Sequence, residues 1–426
     1  MHRYAITVLL IASSAAHADL FDYIALPDDS FAYEFTGTET ALLGKIHSIH
    51  MTSQTWQGIK WEHEIRIYEP PRVEYPDLVG MLITGGNPSK GEDMLGLTVA
   101  GTAGMRFAIL YGIPNQPLYD GLEEDALIAY TWQRYLETGD ETWPLQFPMV
   151  KSALRAMDAI SATAKEQWNQ DLRGFMVTGA SKRGWTTYLT GIADPERVVA
   201  MAPMVFDILN LPVSAPHQKD FWGDYSPQIE DYTKTGLVGA LETPRGFRLS
   251  YMVDPYSYRD RLHMPKLVIL GSNDPYWPTD AVNYYWNGLP MPRSLLILPN
   301  SGHDLGDRER LLASITTFSR IIASGAQVPA MTWDYTEKPE GSTLTMSTAG
   351  TVKEARVWVA HAPVCDFRPA KWEEAPAAEQ AGSYVATIDR ARGQWTACYG
   401  ELELEVAGRT LYLSTQPRVM HPLAAE

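Results

Sequence analysis

Apolar and polar positions repeat along the first three quarters of the chain in patterns typical of alternating strands and helices. Residues 59–67 alternate with a period of two, as in a half-exposed strand, and residues 44–56 suit its hairpin partner. Residues 78–83 form a continuous apolar run, which is typical of a parallel strand buried on both faces. Similar runs at residues 105–111, 174–178, 198–205, 266–270 and 294–298 alternate with helical segments that include residues 122–136, 146–166 and 308–323. The alternation predicts a doubly wound, mostly parallel sheet covered by helices, as in an α/β-hydrolase core.

This regular alternation stops between residues 205 and 262, in a segment rich in aromatic residues and proline. Ligands of open α/β sheets bind at the carboxyl ends of the strands, where an insertion at this point would lie. We therefore interpret residues 205–262 as a cap over the ligand site. The alternative is a large packed loop with no role in substrate choice.

Helical patterns disappear after residue 329. Short strand-like runs separated by polar, glycine-containing turns follow at residues 342–347, 355–360, 383–388 and 401–406. Short strands at this spacing are typical of a β-sandwich. The sequence thus predicts an α/β-hydrolase domain over residues 19–330 and a C-terminal β-sandwich domain over residues 331–426.

The N-terminus has the features of an export signal. Arg3 is positively charged, residues 4–12 are almost entirely apolar, and Ala16-His17-Ala18 offers the small residues that signal peptidase requires. The apolar run is shorter than the ~20 residues that span a bilayer. We expect a signal peptide over residues 1–18 and an exported product, periplasmic or secreted, without a membrane span. The alternative is an N-terminal membrane anchor or a buried helix.

The composition limits which classes of partner and which kinds of metal, disulfide or cofactor site we expect. The net charge of −16 opposes binding to nucleic acid. Cys365 and Cys398 form a candidate disulfide in an oxidising compartment, and the alternative is two buried free thiols. The chain has no CxxC, no HExxH and no phosphate-binding glycine loop, and the spacing of His47 and His50 places them on opposite faces of a strand. We therefore expect neither a metal site nor a cofactor.

The sharpest chemical signal surrounds Ser181. An apolar strand runs directly into Gly179-Ala180-Ser181 and a helical segment begins at once, as in the nucleophile elbow of a serine hydrolase. The usual motif is G-x-S-x-G, but here Arg183 stands at the second glycine position and Gly184 follows one residue later. The alternative is that Ser181 only caps the following helix.

A serine nucleophile needs a base, and the base needs an acid that orients it. In this fold the acid and then the histidine follow the serine along the chain. Asp274 and His303 come directly after successive strand-like runs, so both belong at the same edge of the sheet as Ser181. We predict Ser181, Asp274 and His303 as the catalytic residues, with Asp280 and Asp304 as alternatives for the acid.

Acyl transfer also requires hydrogen-bond donors for the oxyanion. The backbone N–H of Lys182 is one candidate, and those of Gly86 and Asn87 in the glycine loop are the others. A plain glycine turn is the alternative for this loop. Aromatic side chains of the cap suit stacking on sugar or aromatic groups. The positive charge of Lys182 or Arg183 suits an acidic substrate. The candidate substrate contacts are Arg183, Trp222 and Trp277.

Several stretches together resemble one known family. They are Ile113-Pro114-Asn115-Gln116-Pro117-Leu118, Gly271-Ser272-Asn273-Asp274, Asp366-Phe367-Arg368 and residues 124–132, 148–151, 155–158, 179–185, 194–198 and 264–266. The set resembles the PhoPQ-activated pathogenicity-related family, which includes a secreted autocrine proliferation repressor. The resemblance implies an α/β-hydrolase-like domain, export and an accessory C-terminal β domain, with Ser181, Asp274 and His303 where a triad is expected. The G-x-S-x-x-G spacing is also similar to that of glucuronoyl esterases.

The leading hypothesis is a serine esterase that acts on a small-molecule, carbohydrate-ester or peptide substrate through an acyl-enzyme. A peptidase is the runner-up, because aminopeptidases of this fold bind a free amine with acidic side chains. Glu230, Asp231 and Glu242 in the cap are the candidates for that role. A secreted binding or signalling protein on a hydrolase scaffold is the contrasting hypothesis, but a binding module has no need of the ordered Ser, Asp and His.

Overall fold

A mixed sheet forms the centre of the computed structural model, which describes residues 19–424. Its strands are β1 (Ala32–Ala41), β2 (Gly44–Trp56), β3 (Ile59–Glu69), β4 (Leu78–Ile83), β5 (Arg106–Leu110), β6 (Gly174–Ala180), β7 (Val198–Met204), β8 (Lys266–Gly271) and β9 (Arg293–Leu298). Within the described residues they form one nine-stranded sheet in the order β1-β2-β3-β5-β4-β6-β7-β8-β9. The pairs up to β3–β5 are antiparallel and those from β5 to β9 are parallel. This is the predicted doubly wound arrangement, with β1 as a further edge strand.

Helices cover both faces of this sheet. They are α1 (Leu20–Ala25), α2 (Lys90–Ala103), α3 (Glu124–Thr138), α4 (Gln146–Trp168), α5 (Lys182–Ala193), α6 (Leu211–Trp222), α7 (Glu230–Thr233), α8 (Leu237–Ala240), α9 (Pro244–Val253) and α10 (Arg308–Ser324). Successive strand residues point to opposite faces. In β6, Val177 therefore packs in the core that contains α4 and α5, whereas Met176 packs in the core that contains α10. None of the helices in residues 19–424 has the length and apolar character needed to cross a membrane.

The 205–262 segment, which we call the cap, connects β7 to β8 and is mostly helical. It contains α6 to α9 and short 3₁₀ turns. Pro216 lies inside α6, and α7 and α8 have four residues each. Elements this short and proline-containing show no clear periodicity in the sequence, because their stability depends on packing against the rest of the chain.

The C-terminal region is an antiparallel β-sandwich. Its strands are β10 (Met331–Lys338), β11 (Gly341–Thr348), β12 (Thr351–Ala362), β13 (Glu373–Pro376), β14 (Ala378–Gln380), β15 (Ser383–Asp389), β16 (Trp395–Val406), β17 (Arg409–Ser414) and β18 (Arg418–Met420). One sheet has the order β10-β11-β15-β14, and the other has β13-β12-β16-β17 with β18 beside β16. The sandwich packs on α10 and β9: Ser414 Oγ accepts a hydrogen bond from Ile297 N at 2.9 Å, and Arg310 pairs with Glu401 at 3.2 Å. The two units therefore share a buried contact.

The candidate disulfide is not formed in the structure, where Cys365 and Cys398 are both free. Cys398 lies in β16 and packs in the core that the sandwich shares with α10, whereas Cys365 follows β12 and packs against the other core. The two thiols therefore belong to different apolar clusters. Burial raises the pKa of each thiol to about 12. The signal peptide predicted for residues 1–18 lies outside the described residues.

Candidate functional site

Ser181 occupies a strained turn between β6 and α5. Its φ of 58° and ψ of −127° lie in a region that residues other than glycine rarely adopt. Its side chain makes no capping hydrogen bond to α5, so it does not act as a helix cap. Ser181 instead lines a cavity under the cap. These are the features of a nucleophile elbow.

The displaced glycine of the motif is explained by the crossing of α5 over the ends of β6 and β7. A Cβ atom on Gly184 would lie 2.7 Å from the carbonyl oxygen of Met204 and 3.2 Å from that of Gly179. A Cβ atom on Gly179 would lie 2.6 Å from the carbonyl oxygen of Arg183. Gly184 thus provides the close contact between helix and strand, and position 183 can carry a large side chain.

Arg183 joins α5 to two other parts of the site. Its guanidinium donates two hydrogen bonds of 2.6 Å to the carboxylate of Glu124, and its Nε donates one of 2.6 Å to the carbonyl oxygen of Ile113. A Cβ atom on Gly85 would lie 1.7 Å from Arg183 Nη2, so only glycine leaves room for this side chain. Arg183 does not line the Ser181 cavity. The structure therefore places this candidate substrate contact against the glycine loop instead.

Glu124, which the sequence pattern does not single out, is the partner of two cations. Lys182 Nζ lies 2.8 Å from a Glu124 oxygen and 3.3 Å from an Asp125 oxygen. Burial raises the pKa of Glu124, but hydrogen bonds from Arg183 and Lys182 and their charges outweigh burial and lower this pKa to about 2. Both cations are thus balanced by carboxylates of the protein, which argues against their attracting an acidic substrate. The one sequence feature that could have indicated this role of Glu124 is the acidic run 123–125, but such a run is also typical of the first turn of a helix.

The backbone of Glu124 is strained as well, with a φ of 51°. Gln116 holds it in place, since its Oε1 accepts a hydrogen bond from Glu124 N at 2.9 Å and its Nε2 donates one to Glu124 Oε1 at 2.6 Å. Such strain costs about 1–3 kcal/mol and persists only where the surroundings fix it. The carboxylate of Glu124 is therefore a fixed part of the site.

His303 and Asp274 lie at the ends of β9 and β8 and are hydrogen bonded. His303 Nδ1 donates to Asp274 Oδ2 at 2.8 Å, which leaves Nε2 as the basic nitrogen. Nε2 is buried and has no hydrogen-bond partner among the described residues. The Tyr276 ring stacks on His303 with centroids 4.1 Å apart and also lines the Ser181 cavity. Asp280, one alternative for the acid, pairs instead with His217 at 2.6 Å.

A further carboxyl, that of Asp207, lines a small cavity with Asp274. It follows β7 and is buried. Burial raises the pKa of Asp207 well above its usual value, and the charges of Asp274 and Asp280 raise it further. Burial therefore favours the neutral form of the Asp207 carboxyl.

The cavity at Ser181 has a volume of about 80 Å³ and mostly apolar walls. Besides Ser181 it is lined by Asp125, Trp132, Lys182, Trp185, Phe206, Ile208, Leu211, Ala215, Ile229, Tyr232, Leu237, Val238, Leu241, Tyr276 and Trp277. Trp277 thus lines the cavity, whereas the Trp222 ring lies outside it under the guanidinium of Arg368, at 4.1 Å. The three acidic cap residues of the peptidase hypothesis are exposed and do not line this cavity.

The glycine loop after β4 is fixed by the chain that follows β5. Gly112 N donates to the carbonyl oxygen of Gly86 at 3.1 Å, and His63 Nδ1 lies 3.1 Å from the carbonyl oxygen of Gly112. Burial lowers the pKa of His63 to about 4, so His63 is neutral and Nδ1 acts as the donor. Gly86 N reaches only Thr84 Oγ1, at 3.4 Å, and Gly86 and Asn87 are exposed. Their N–H groups are therefore accessible to a ligand.

A loop of the sandwich, residues 363–372, is held by the segments that carry the acid and the histidine. Asn273 Nδ2 donates to the carbonyl oxygens of Phe367, Arg368 and Ala370 at 3.1, 3.2 and 2.7 Å. Asn300 Nδ2 donates to the carbonyl oxygen of Trp372 at 3.0 Å, and Trp372 N donates back at 2.8 Å. The sandwich therefore supports both loops.

No group of three or more potential metal ligands occurs in residues 19–424. His47 is buried while His50 is exposed, on opposite faces of β2.

The sequence matches the family described as PhoPQ-activated pathogenicity-related protein over residues 20–368. The chain belongs to this family. It is also 32% identical, over 386 residues, to autocrine proliferation repressor protein A of Dictyostelium discoideum, an alignment that covers 84% of this chain and 77% of the relative. Both findings confirm the family that the sequence motifs indicate.

The fold of this PhoPQ-activated pathogenicity-related protein is similar to that of acetyl xylan esterase 1 from Thermoanaerobacterium sp. JW/SL YS485. The TM-score is 0.51 at 15% identity, and the match covers 71% of this chain and 91% of the esterase. An acetyl xylan esterase from Paenibacillus sp. R4 matches with a TM-score of 0.49 at 13% identity, over 69% of this chain and 88% of that one. The predicted α/β-hydrolase fold with a C-terminal β-sandwich is confirmed.

Replacing Glu124 of this family member by glutamine should lower the free energy of unfolding at neutral pH by about 1–2 kcal/mol. Arg183 loses its charged partner and Lys182 keeps only Asp125, and solvent screens part of the effect. Because the pKa of Glu124 is lowered from 4.5 to about 2, its contribution is present above pH 4.5 and is lost as the pH falls towards 2. Urea unfolding over this pH range measures both effects, with exposed Glu123→Gln as the matched control. Two outcomes would contradict this assignment. One is an equal loss of unfolding free energy in the two variants, and the other is that Glu124→Gln loses as much stability as wild type when the pH falls from 4.5 towards 2.

Asn273→Ala should destabilise the protein by about 1–3 kcal/mol, because three carbonyl groups of the 363–372 loop lose their donor. Urea unfolding measures the change. Asn283→Ala is the control, since this amide donates a single hydrogen bond, to the carbonyl oxygen of Pro417, at another contact with the sandwich. If the two variants are equally stable, the Asn273 amide does not hold the loop.

Proposed function

We propose that this protein is an exported serine hydrolase that cleaves carboxylic esters through an acyl-enzyme, with Ser181, His303 and Asp274 as nucleophile, base and orienting acid. The observation that carries the proposal is the Asp274–His303 hydrogen bond, which orients a buried Nε2 that has no hydrogen-bond partner within residues 19–424. A buried polar atom without a partner is destabilising, and a catalytic role is one reason for such an atom to occur in a folded protein. The strained backbone of Ser181, at the same edge of the sheet, supports the same reading.

In the proposed reaction, Ser181 Oγ bonds to the ester carbonyl carbon while its proton passes to His303 Nε2. The tetrahedral intermediate collapses as its bond to the alcohol oxygen breaks, and the alcohol leaves with the proton from His303. Water then attacks the acyl-enzyme and gives a proton to His303, and the carboxylic acid leaves as Ser181 recovers its proton. Asp274 keeps the imidazole in the required tautomer throughout.

The oxyanion would be bound by backbone N–H groups. Lys182 N–H lies in the first turn of α5 and has no partner within the helix. Gly86 and Asn87 supply the second donor from the exposed glycine loop. Removal of one such donor typically lowers kcat by 10²–10³. Arg183 acts on this geometry as a positioning residue, because it packs against Gly85.

A second candidate function is signalling by a secreted protein on a hydrolase scaffold. The relative named autocrine proliferation repressor protein A favours it. Such a protein would need the fold but not a reactive serine. A peptidase is less favoured, because the acidic cap residues Glu230, Asp231 and Glu242 are exposed away from the Ser181 cavity.

A fluorophosphonate probe separates the two functions, because it modifies only an activated serine. We expect the folded wild-type protein to be labelled and Ser181→Ala to be unlabelled. Ser324→Ala, an exposed serine at the end of α10, is the matched control and should be labelled like wild type. Absence of labelling in folded wild type would reject the enzyme hypothesis and leave the signalling one.

The proposed export rests on residues 1–18, and it predicts a mature chain that begins at Asp19. Asp19 caps α1, with its carboxylate accepting hydrogen bonds from Phe21 N and Asp22 N, so cleavage before Asp19 would retain the residue that caps this helix. N-terminal sequencing of the protein recovered outside the cytoplasm of a bacterial host tests this. Recovery of only the uncleaved chain in the cytoplasm would contradict export.

A further inference from the structure

The cavity at Ser181 lies against the start of α5 and against Tyr276, the ring that stacks on His303. Lys182, whose N–H is a candidate oxyanion donor, lines it, whereas His303 does not. The alcohol of an ester must leave beside His303 Nε2, where its proton comes from. Because His303 itself does not line the cavity, we assign this cavity to the acyl group and not to the alcohol.

The size of the cavity limits that acyl group. Its volume is about 80 Å³, whereas an apolar protein cavity of about 150 Å³ binds benzene, a group of six carbons. Half of that volume accommodates about three carbons beyond the carbonyl carbon. Acetyl, propionyl and butyryl groups fit, and a benzoyl or octanoyl group does not.

The walls also select against charge. Among the described residues that line the cavity, Asp125 and Lys182 are the only acidic and basic side chains, and they pair with each other at 3.3 Å. Tyr232 donates its hydroxyl hydrogen to Asp125 at 3.0 Å. No charged side chain of the lining is therefore left without a partner, and a charged acyl group would be desolvated there without compensation.

A thin wall separates this cavity from a second one in the cap. Leu211, Ala215, Val238 and Leu241 line both, and the second cavity has a volume of about 380 Å³. Exposed Phe247 lines only the second cavity. These four side chains therefore limit the length of the acyl site, because further space is present in the cap behind them.

We propose that the substrates are esters of short, uncharged aliphatic acids of two to four carbons, and that Leu241 and Val238 set this limit. The proposal rests on the serine hydrolase function proposed above. Each methylene that fits should raise kcat/KM about fourfold, because its burial is favourable. The rate should then fall once the chain meets the wall.

Hydrolysis of p-nitrophenyl acetate, butyrate, hexanoate, octanoate and benzoate by the full-length protein tests the proposal. We expect kcat/KM to peak at butyrate and to be at least tenfold lower for octanoate and benzoate. Leu241→Ala should raise the octanoate-to-butyrate ratio at least tenfold by joining the two cavities. Val238→Ala offers the same test if the first variant does not fold, and Phe247→Ala should leave the ratio within twofold of wild type.

The outcomes separate this inference from the function on which it rests. If Ser181 reacts with the fluorophosphonate but octanoate or benzoate is the best substrate, the acyl limit is wrong and the hydrolase function stands. The inference also fails if Ser181 is labelled but none of the esters is cleaved, or if both wall variants fold and leave the ratio unchanged. If wild type is not labelled, the hydrolase function fails, and the inference fails with it.

Discussion

The ion pair between Arg183 and Glu124 is the interaction on which the geometry around Ser181 depends. It joins α5, which begins directly after Ser181, to the first residue of α3. Ser181 and Glu124 both have positive φ angles, and such strain persists only where neighbouring groups hold it. The planar fork of arginine engages both carboxylate oxygens at once, which a lysine cannot do. The residue that breaks the usual glycine motif is thus the one that holds the elbow in place.

The parallel strands supply the second constraint. Because β6, β8 and β9 run in the same direction, Ser181, Asp274 and His303 emerge at one edge of the sheet. Strand direction alone does not fix the loops that carry the acid and the histidine. The amides of Asn273 and Asn300 do so by binding the 363–372 loop. The sandwich therefore supports the site, and its removal would disturb the loops that carry Asp274 and His303.

The sequence was sufficient for features that depend on local pattern. Runs such as residues 78–83 mark buried strands because strand period and burial are both visible along the chain. The order of Ser181, Asp274 and His303 follows from where such runs end. Contacts between distant residues leave no such trace: Glu124 lies 59 positions from Arg183, and its acidic neighbours suit a helix start equally well. The separation of Cys365 and Cys398 into two cores was hidden for the same reason, since only the packing of the sandwich decides it.

The balance of charge under the cap bears on how the oxyanion is stabilised. Two cations stand next to Ser181 in the sequence, which favours an electrostatic role for their side chains. Glu124 pairs with both in the structure and Asp125 pairs with Lys182, so little net positive charge remains beside Ser181. In the proposed reaction, stabilisation of the developing negative charge would then fall to fixed backbone dipoles, which act strongly where apolar walls exclude water. The charged residues in this arrangement hold the backbone in position, and in the proposed function the apolar cap would decide which acyl group reaches it.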